Sequence, residues 1–298
     1  MTSQRVLAAA PLLISALLLS ACGSGAPGKN STGQLTVVTS FYPLQYAAEQ
    51  IGGGHVAVTN LTRPGAEPHD IELTTHDVAT VSKAGLVIYE KGLQGAVDKA
   101  AQSQAGNRAL DVAPAADLNL RLTSGGIDPH FWLDPQRYSK VANAISARLS
   151  SADPAHKADY EKNARVFEDK LAALSAQFTS DLASCRRRDL VTSHAAFGYL
   201  AQRFGMKQVA INGLSPEQEP NAAQIAAVST YARAKGVTTV YAETLASPAI
   251  AATVARESGA KVATLDPIEG LTKASSGKNY FEIMHSNLTT LRAGQGCL

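Results

Sequence analysis

The chain has 298 residues, 45% of them hydrophobic and 17% charged, with a formal net charge of +2. That length suits one large or two modest domains. The near balance of charge, with no long basic block, excludes a nucleic-acid surface, and the short run Arg186-Arg187-Arg188 reads as a solvated helix end.

The chain begins MTSQRVLAAAPLLISALLLSAC: one positive charge at Arg5, then an apolar run from Val6 to Leu19, then small residues. Such a run is too short and wrongly flanked for a stable membrane span, and residues 1–21 read as a secretory signal. Leu19-Ser20-Ala21-Cys22 resembles the lipobox of bacterial lipoproteins, which would make Cys22 the lipid-bearing N-terminus. The alternative is an ordinary signal peptide with a chance Cys. Residues 22–34, rich in Gly and Ser, read as a flexible tether.

Residues 35–152 read as a first lobe in βα order. Leu35 to Ser40 is a buried strand, Leu44 to Ile51 a helix stopped by Gly52-Gly53-Gly54, and His55 to Leu61 an alternating strand. A helix over His76 to Lys83 precedes the strand Leu86 to Tyr89. A helix from Gly95 to Gln102, a short strand over Ala109 to Val112 and a helix from Gln136 to Leu149 complete it. Residues 153–185 read as one helix about 50 Å long at 1.5 Å per residue. Asp153 is its natural N-cap, Pro154 suits the first turn, and Tyr160, Phe167, Leu171, Leu174 and Phe178 keep helical spacing. It is either an ordinary surface helix or a rod joining two lobes, and its place between two matched halves favours the rod.

Residues 186–298 repeat the order. Strands are expected at Asp189 to Ser193, Lys207 to Ile211, Thr238 to Ala242 and Lys261 to Leu265. Helices are expected at Ala195 to Phe204, Asn221 to Ala234, Pro248 to Glu257 and Asn279 to Arg292. The fold class is therefore α/β: two similar lobes, each a parallel sheet flanked by helices, joined by a long helix. Cys185 and Cys297 form an even pair, which outside the cytoplasm favours a disulfide over a Cys-based metal site.

Of seven histidines, three share a setting. His69 lies in the loop RPGAEPHD after a predicted strand, His130 in IDPHFWLDP beside the single Trp, and His194 directly after the strand LVTS. Asp266, in TLDPI, follows a strand in the same way. In parallel sheets ligands bind beyond the carboxyl ends of the strands. The four residues are too far apart in sequence for a local metal motif, and they converge only if both lobes face one cleft. Pro68, Pro129 and Pro267 stiffen the backbone beside three of them. Phe131 and Trp132 read as an apolar base that aims His130. Glu243, Asp70, Glu72, Asp128 and Trp132 are candidates for supporting groups that orient a ligand imidazole. His76 reads as a cap or surface group, His156 as solvated, and His55 and His285 lie away from the carboxyl end of any predicted strand.

The stretches TSFYPLQYAAEQIGG, RPGAEPHDIELT, DPHFWLDP, TSHAAFGYLAQRFGM, EQEPNAAQI and LDPIEGL together resemble the zinc/manganese-binding solute receptors of bacterial ABC importers (TroA/ZnuA-like), whose lobes are joined by one long helix. The resemblance implies metal ligands at His69, His130, His194 and Asp266, two from each lobe. It implies a monomeric lipoprotein, of a family that includes cell-adhesion members, held at the outer face of the cell membrane or in the periplasm. Its partners would be a separate membrane permease and a cytoplasmic ATPase. Manganese receptors of this family commonly have Glu where this chain has His194. Three imidazoles and one carboxylate suit Zn²⁺, with manganese or mixed specificity as the alternative. Many zinc members carry a His-rich loop before the second ligand, but here Ala113 to Gly126 contains no His.

The rival of another class is a zinc hydrolase. It needs an open coordination position and a nearby base, whereas four protein ligands close the shell. No GxSxG, HExxH or P-loop pattern occurs. A receptor for a siderophore or sugar would have cleft aromatics or an Arg cluster in place of the three strand-end histidines.

Overall fold

A computed structural model describes residues 2, 28–122, 125–215 and 219–298. The signal, the lipobox and Cys22 lie outside the described residues. Among the described residues no helix is long and apolar enough to cross a membrane.

In the first lobe β1 (Leu35–Thr39) is central because Leu35, Val37 and Val38 present apolar side chains to both faces of the sheet. It is followed by α1 (Tyr42–Gly52), β2 (Val56–Asn60), α2 (Thr75–Lys83), β3 (Leu86–Tyr89), α3 (Gly95–Ala100), β4 (Ala109–Asp111), α4 (Ala113–Ala116) and α5 (Pro135–Ala152). Thr74 and Asp77 cap α2 reciprocally. The helical path after α3 continues in a wider turn to Ala105. The second lobe contains β5 (Asp189–Thr192), α7 (Gly198–Arg203), β6 (Lys207–Ala210), α8 (Ala222–Lys235), β7 (Thr239–Ala242), α9 (Ala249–Ser258), β8 (Lys261–Thr264) and α10 (Tyr280–Gln295).

Each lobe has a four-stranded parallel sheet, in the orders β2-β1-β3-β4 and β6-β5-β7-β8. The chain reverses direction of progression beside β1 in one and β5 in the other. This places a crevice at the carboxyl ends of the central strands of both lobes.

The connecting helix α6 runs from Lys157 to Leu182, about 39 Å at 1.5 Å per residue. It starts later than the sequence suggests. Pro154–His156 form a separate 3-10 turn. Asp153 spends its carboxylate on Lys29 Nζ at 3.1 Å, His156 Nδ1 at 2.7 Å and Tyr160 Oη at 2.9 Å instead of capping a backbone amide. Tyr160, Phe167, Leu171, Leu174, Phe178 and Leu182 are buried along one stripe of α6, which packs on α5, α1 and α10 and so touches both lobes. Residues 28–34 also differ from a free tether. Lys29 bridges Leu35, and Thr36 N donates to Gly28 O at 2.8 Å. A disulfide joins Cys185, just beyond α6, to Cys297 after α10.

Candidate metal centre

His69 lies in the loop after β2. Gln94 Nε2 donates to Pro68 O at 3.0 Å, and His69 N donates to Glu67 Oε1 at 3.0 Å. His130 precedes a short turn, Phe131–Leu133, whose three side chains are buried. Asp128 Oδ1 accepts both His130 N at 2.9 Å and His130 Nδ1 at 2.7 Å, which fixes the ring and turns Nε2 toward the other lobe. Asp128 itself fits only because residue 198 is Gly, where a β-carbon would collide with its Oδ2. Trp132 packs edge-on against His130, with ring centroids 5.2 Å apart. His194 leaves β5 at its carboxyl end. Glu243, at the end of neighbouring β7, accepts His194 N at 2.9 Å through Oε1 and the ring Nδ1 through Oε2. The two rings are thus held by the same device, a carboxylate gripping amide and imidazole together.

The fourth group is Glu269 and not Asp266. Glu269 Oε1 lies 3.4 Å from His69 Nε2, 3.1 Å from His130 Nε2 and 3.2 Å from His194 Nε2. One donor atom from each of these four residues lies within 4.8 Å of the others. Asp266 is not in this group: one of its carboxylate oxygens serves the backbone, and the other, Oδ2, is buried without a hydrogen-bond partner. Oδ1 accepts Ile268 N at 2.8 Å, and Asn287 brackets its peptide, donating to Asp266 O at 2.7 Å and accepting Asp266 N at 2.9 Å. Of the other candidates, Glu243 and Asp128 each hold one of the three convergent imidazoles. Trp132 donates from its indole to Pro267 O at 2.7 Å, across the cleft. Asp70 reaches Ser215 Oγ at 3.2 Å, and Glu72 is exposed; neither holds an imidazole.

His130, His194 and Glu269 have no exposed surface. His69 Nδ1, His69 Nε2 and Glu269 Oε2 are buried without a hydrogen-bond partner. Leaving such atoms bare is costly unless something else satisfies them. Burial alone would raise the Glu269 carboxyl, but the His194 charge and the bonds from His130 and His194 hold it well below the usual carboxylate range. Burial works against a charged His194, yet Glu243 and Glu269 raise it well above the ordinary imidazole value. His130 is raised in the same way by Asp128 and Glu269 against burial. His69, lacking a carboxylate on Nδ1, is lowered by burial. Beside it, burial and the Glu269 charge push Glu67 up to about 7. Glu67 also lines a cavity of about 360 Å³ with Arg63, Asp70, Glu72 and Asp77, an acidic approach to the His69 side. Three imidazole nitrogens and a carboxylate oxygen facing one point form a donor set that fits a divalent borderline metal.

Known proteins share this architecture. The chain matches the family model ZnuA, "Zinc-uptake complex component A periplasmic", over residues 37–294. It is 35% identical over 297 residues to the high-affinity zinc uptake system protein ZnuA of Bacillus subtilis, covering 93% of both chains. It is 34% identical over 297 residues to the zinc-binding lipoprotein AdcA of Streptococcus pneumoniae, covering 93% of this chain but only 58% of AdcA. The crystal structure of Zn(II)-bound AdcA gives a TM-score of 0.77 at 35% identity, over 88% of this chain and 58% of that one. The laminin-binding protein Lmb of Streptococcus agalactiae, described as having adhesin and metal transporting activity, gives 0.79 at 33% identity, over 87% of this chain and 99% of that one. A match that runs from β1 to α10 takes in both sheets, the helix between them and all four convergent donors, and on that ground the chain belongs to the ZnuA family.

Proposed function

We propose that the chain is an extracytoplasmic receptor that captures Zn²⁺ as cargo between its lobes and delivers it to the permease of an ABC importer. The observation that carries this reading is the meeting of four donors, two from each lobe, around Glu269 Oε1. His69, His130, His194 and Glu269 hold the ion. Asp128 and Glu243 keep two rings in the tautomer that presents Nε2 to the metal. Three nitrogens and one carboxylate favour Zn²⁺ over Mn²⁺, which prefers more oxygen. Family membership and the zinc-binding relatives support the same assignment. A filled tetrahedral shell leaves no position for an activated water, so the site transports and does not hydrolyse. The lipobox assigns Cys22 a lipid anchor, with residues 1–21 as the cleaved signal and a permease and a cytoplasmic ATPase as partners. The lobes correspond to residues 35–152 and 186–298, joined through 153–185.

Metal analysis of the purified chain tests this reading, with chelator competition on variants. One zinc per chain is expected, and His69→Ala, His130→Ala, His194→Ala and Glu269→Gln should each weaken binding by orders of magnitude, because binding draws on the full donor set. Manganese retained in preference to zinc, or affinity unchanged in all four variants, contradicts it.

A further inference from the structure

Ile268, immediately before Glu269, has φ +58°, in the left-handed region. The other described non-Gly residue with positive φ is Asp117, a type that tolerates this region; a β-branched residue does not. Ile268 is also wholly buried. Such a conformation persists only where its surroundings over-determine it, and here they do. On one side Asp266 Oδ1 accepts the Ile268 amide at 2.8 Å. On the other, Trp132 Nε1 donates to Pro267 O at 2.7 Å from the opposite lobe. Asn287, on α10, fixes the peptide of Asp266 at both its N–H and its C=O.

We propose that Ile268 is a positioning residue: its clamped left-handed backbone turns the chain after β8 so that Glu269, and not Asp266, faces the three imidazoles. Asp266 acts as the clamp on that turn. The strain is local and Glu269 follows it directly, so relaxing Ile268 to negative φ swings the carboxylate away from the cleft. Because Trp132 belongs to the first lobe and Pro267 to the second, the same clamp also ties the turn that carries the second-lobe carboxylate to a first-lobe group. The inference rests on the metal-binding reading above and assigns how that site is aimed.

The test is a cycle of variants read by zinc affinity and by the melting temperature of the metal-free chain. Asp266→Ala removes the acceptor and should weaken zinc binding about tenfold, the scale of a left-handed penalty on one residue. The conservative variant Asp266→Asn keeps an acceptor and should restore most of that loss. Adding Ile268→Gly to Asp266→Ala should also recover affinity, since Gly adopts positive φ without strain. Equal losses for Asp266→Asn and Asp266→Ala, or further loss in the double variant, overturn the proposal. If Asp266→Ala does not fold, Ile268→Gly and Ile268→Ala decide it, both lacking the side chain. The Gly chain should melt higher, reversing the usual order, and an Ala chain that melts higher overturns the clamp. A wild-type chain that takes up no zinc instead contradicts the receptor reading, and the Gly-against-Ala melting order still reports on the clamp.

Discussion

At the scale of the residue, the site is a competition between protons and metal. His130 and His194 are raised by Asp128, Glu243 and Glu269, so in the metal-free chain these rings hold protons that an incoming cation must displace. The sign follows: lowering the pH stabilises the protonated site and weakens metal binding, and raising it strengthens binding. Because both rings are raised, His194 well above the ordinary imidazole value, the dependence should persist above pH 6.5. Calorimetry in buffers of different ionisation enthalpy should therefore find protons released on zinc binding at pH 7. Release of none would contradict the carboxylate-held imidazoles. The three histidines are legible in the sequence through the motifs that carry the family resemblance; His69 and His194 also trail β2 and β5, whereas His130 lies beyond α4. Glu269 is not legible. Asp266 and Glu269 both trail β8, and sequence favours the nearer carboxylate. What decides between them is the positive φ of Ile268, and nothing about an isoleucine advertises that conformation.

At the scale of the element, strand and helix positions are legible because apolar periodicity and glycine stops dominate them, and the observed ends shift by only a few residues. The start of the connecting helix is the instructive departure. Asp153 before Pro154 has the form of an N-cap, but its carboxylate is taken by Lys29, His156 and Tyr160. It therefore joins the segment before β1 to the foot of α6, and residues 28–34 pack against the lobe although their composition reads as tether. Although burial works the other way, bonds from His156, Lys29 and Tyr160 hold the Asp153 carboxyl down to about 2. A depressed acid contributes stability above its unfolded value, near 4, and that stability is lost as the pH falls toward 2. In denaturant titrations Asp153→Asn should be less stable than wild type by about 2 kcal/mol at neutral pH, with the gap closing as the pH falls from about 4 toward 2. A gap independent of pH would show that the carboxylate charge is not what ties these elements together.

At the scale of the whole molecule, two like halves place like crevices face to face, and bonds across the cleft hold them close. Trp132 reaches Pro267, and Tyr280 Oη donates to Trp132 O at 2.6 Å. Tyr138, Tyr280, Phe167 and Phe281 pack in one aromatic cluster against α6. The disulfide Cys185–Cys297 ties the end of α6 to the segment after α10. The repeated βα order made the two-lobed architecture legible. The interlobe bonds were not, because Trp132 and Pro267 are far apart in sequence and only the folded loops bring them together. A cation held in this frame is shared equally between the lobes, which ties recognition of the loaded receptor to a single relative placement of its halves.

The central claim is that one zinc ion lies between the lobes, bound by His69, His130, His194 and Glu269. Anomalous diffraction at the zinc absorption edge from crystals of the loaded chain tests it most directly. The account predicts one strong peak about 2.0–2.2 Å from the three Nε2 atoms and a Glu269 carboxylate oxygen. A peak bonded to Asp266 in place of Glu269, or a principal peak outside the cleft, would contradict it.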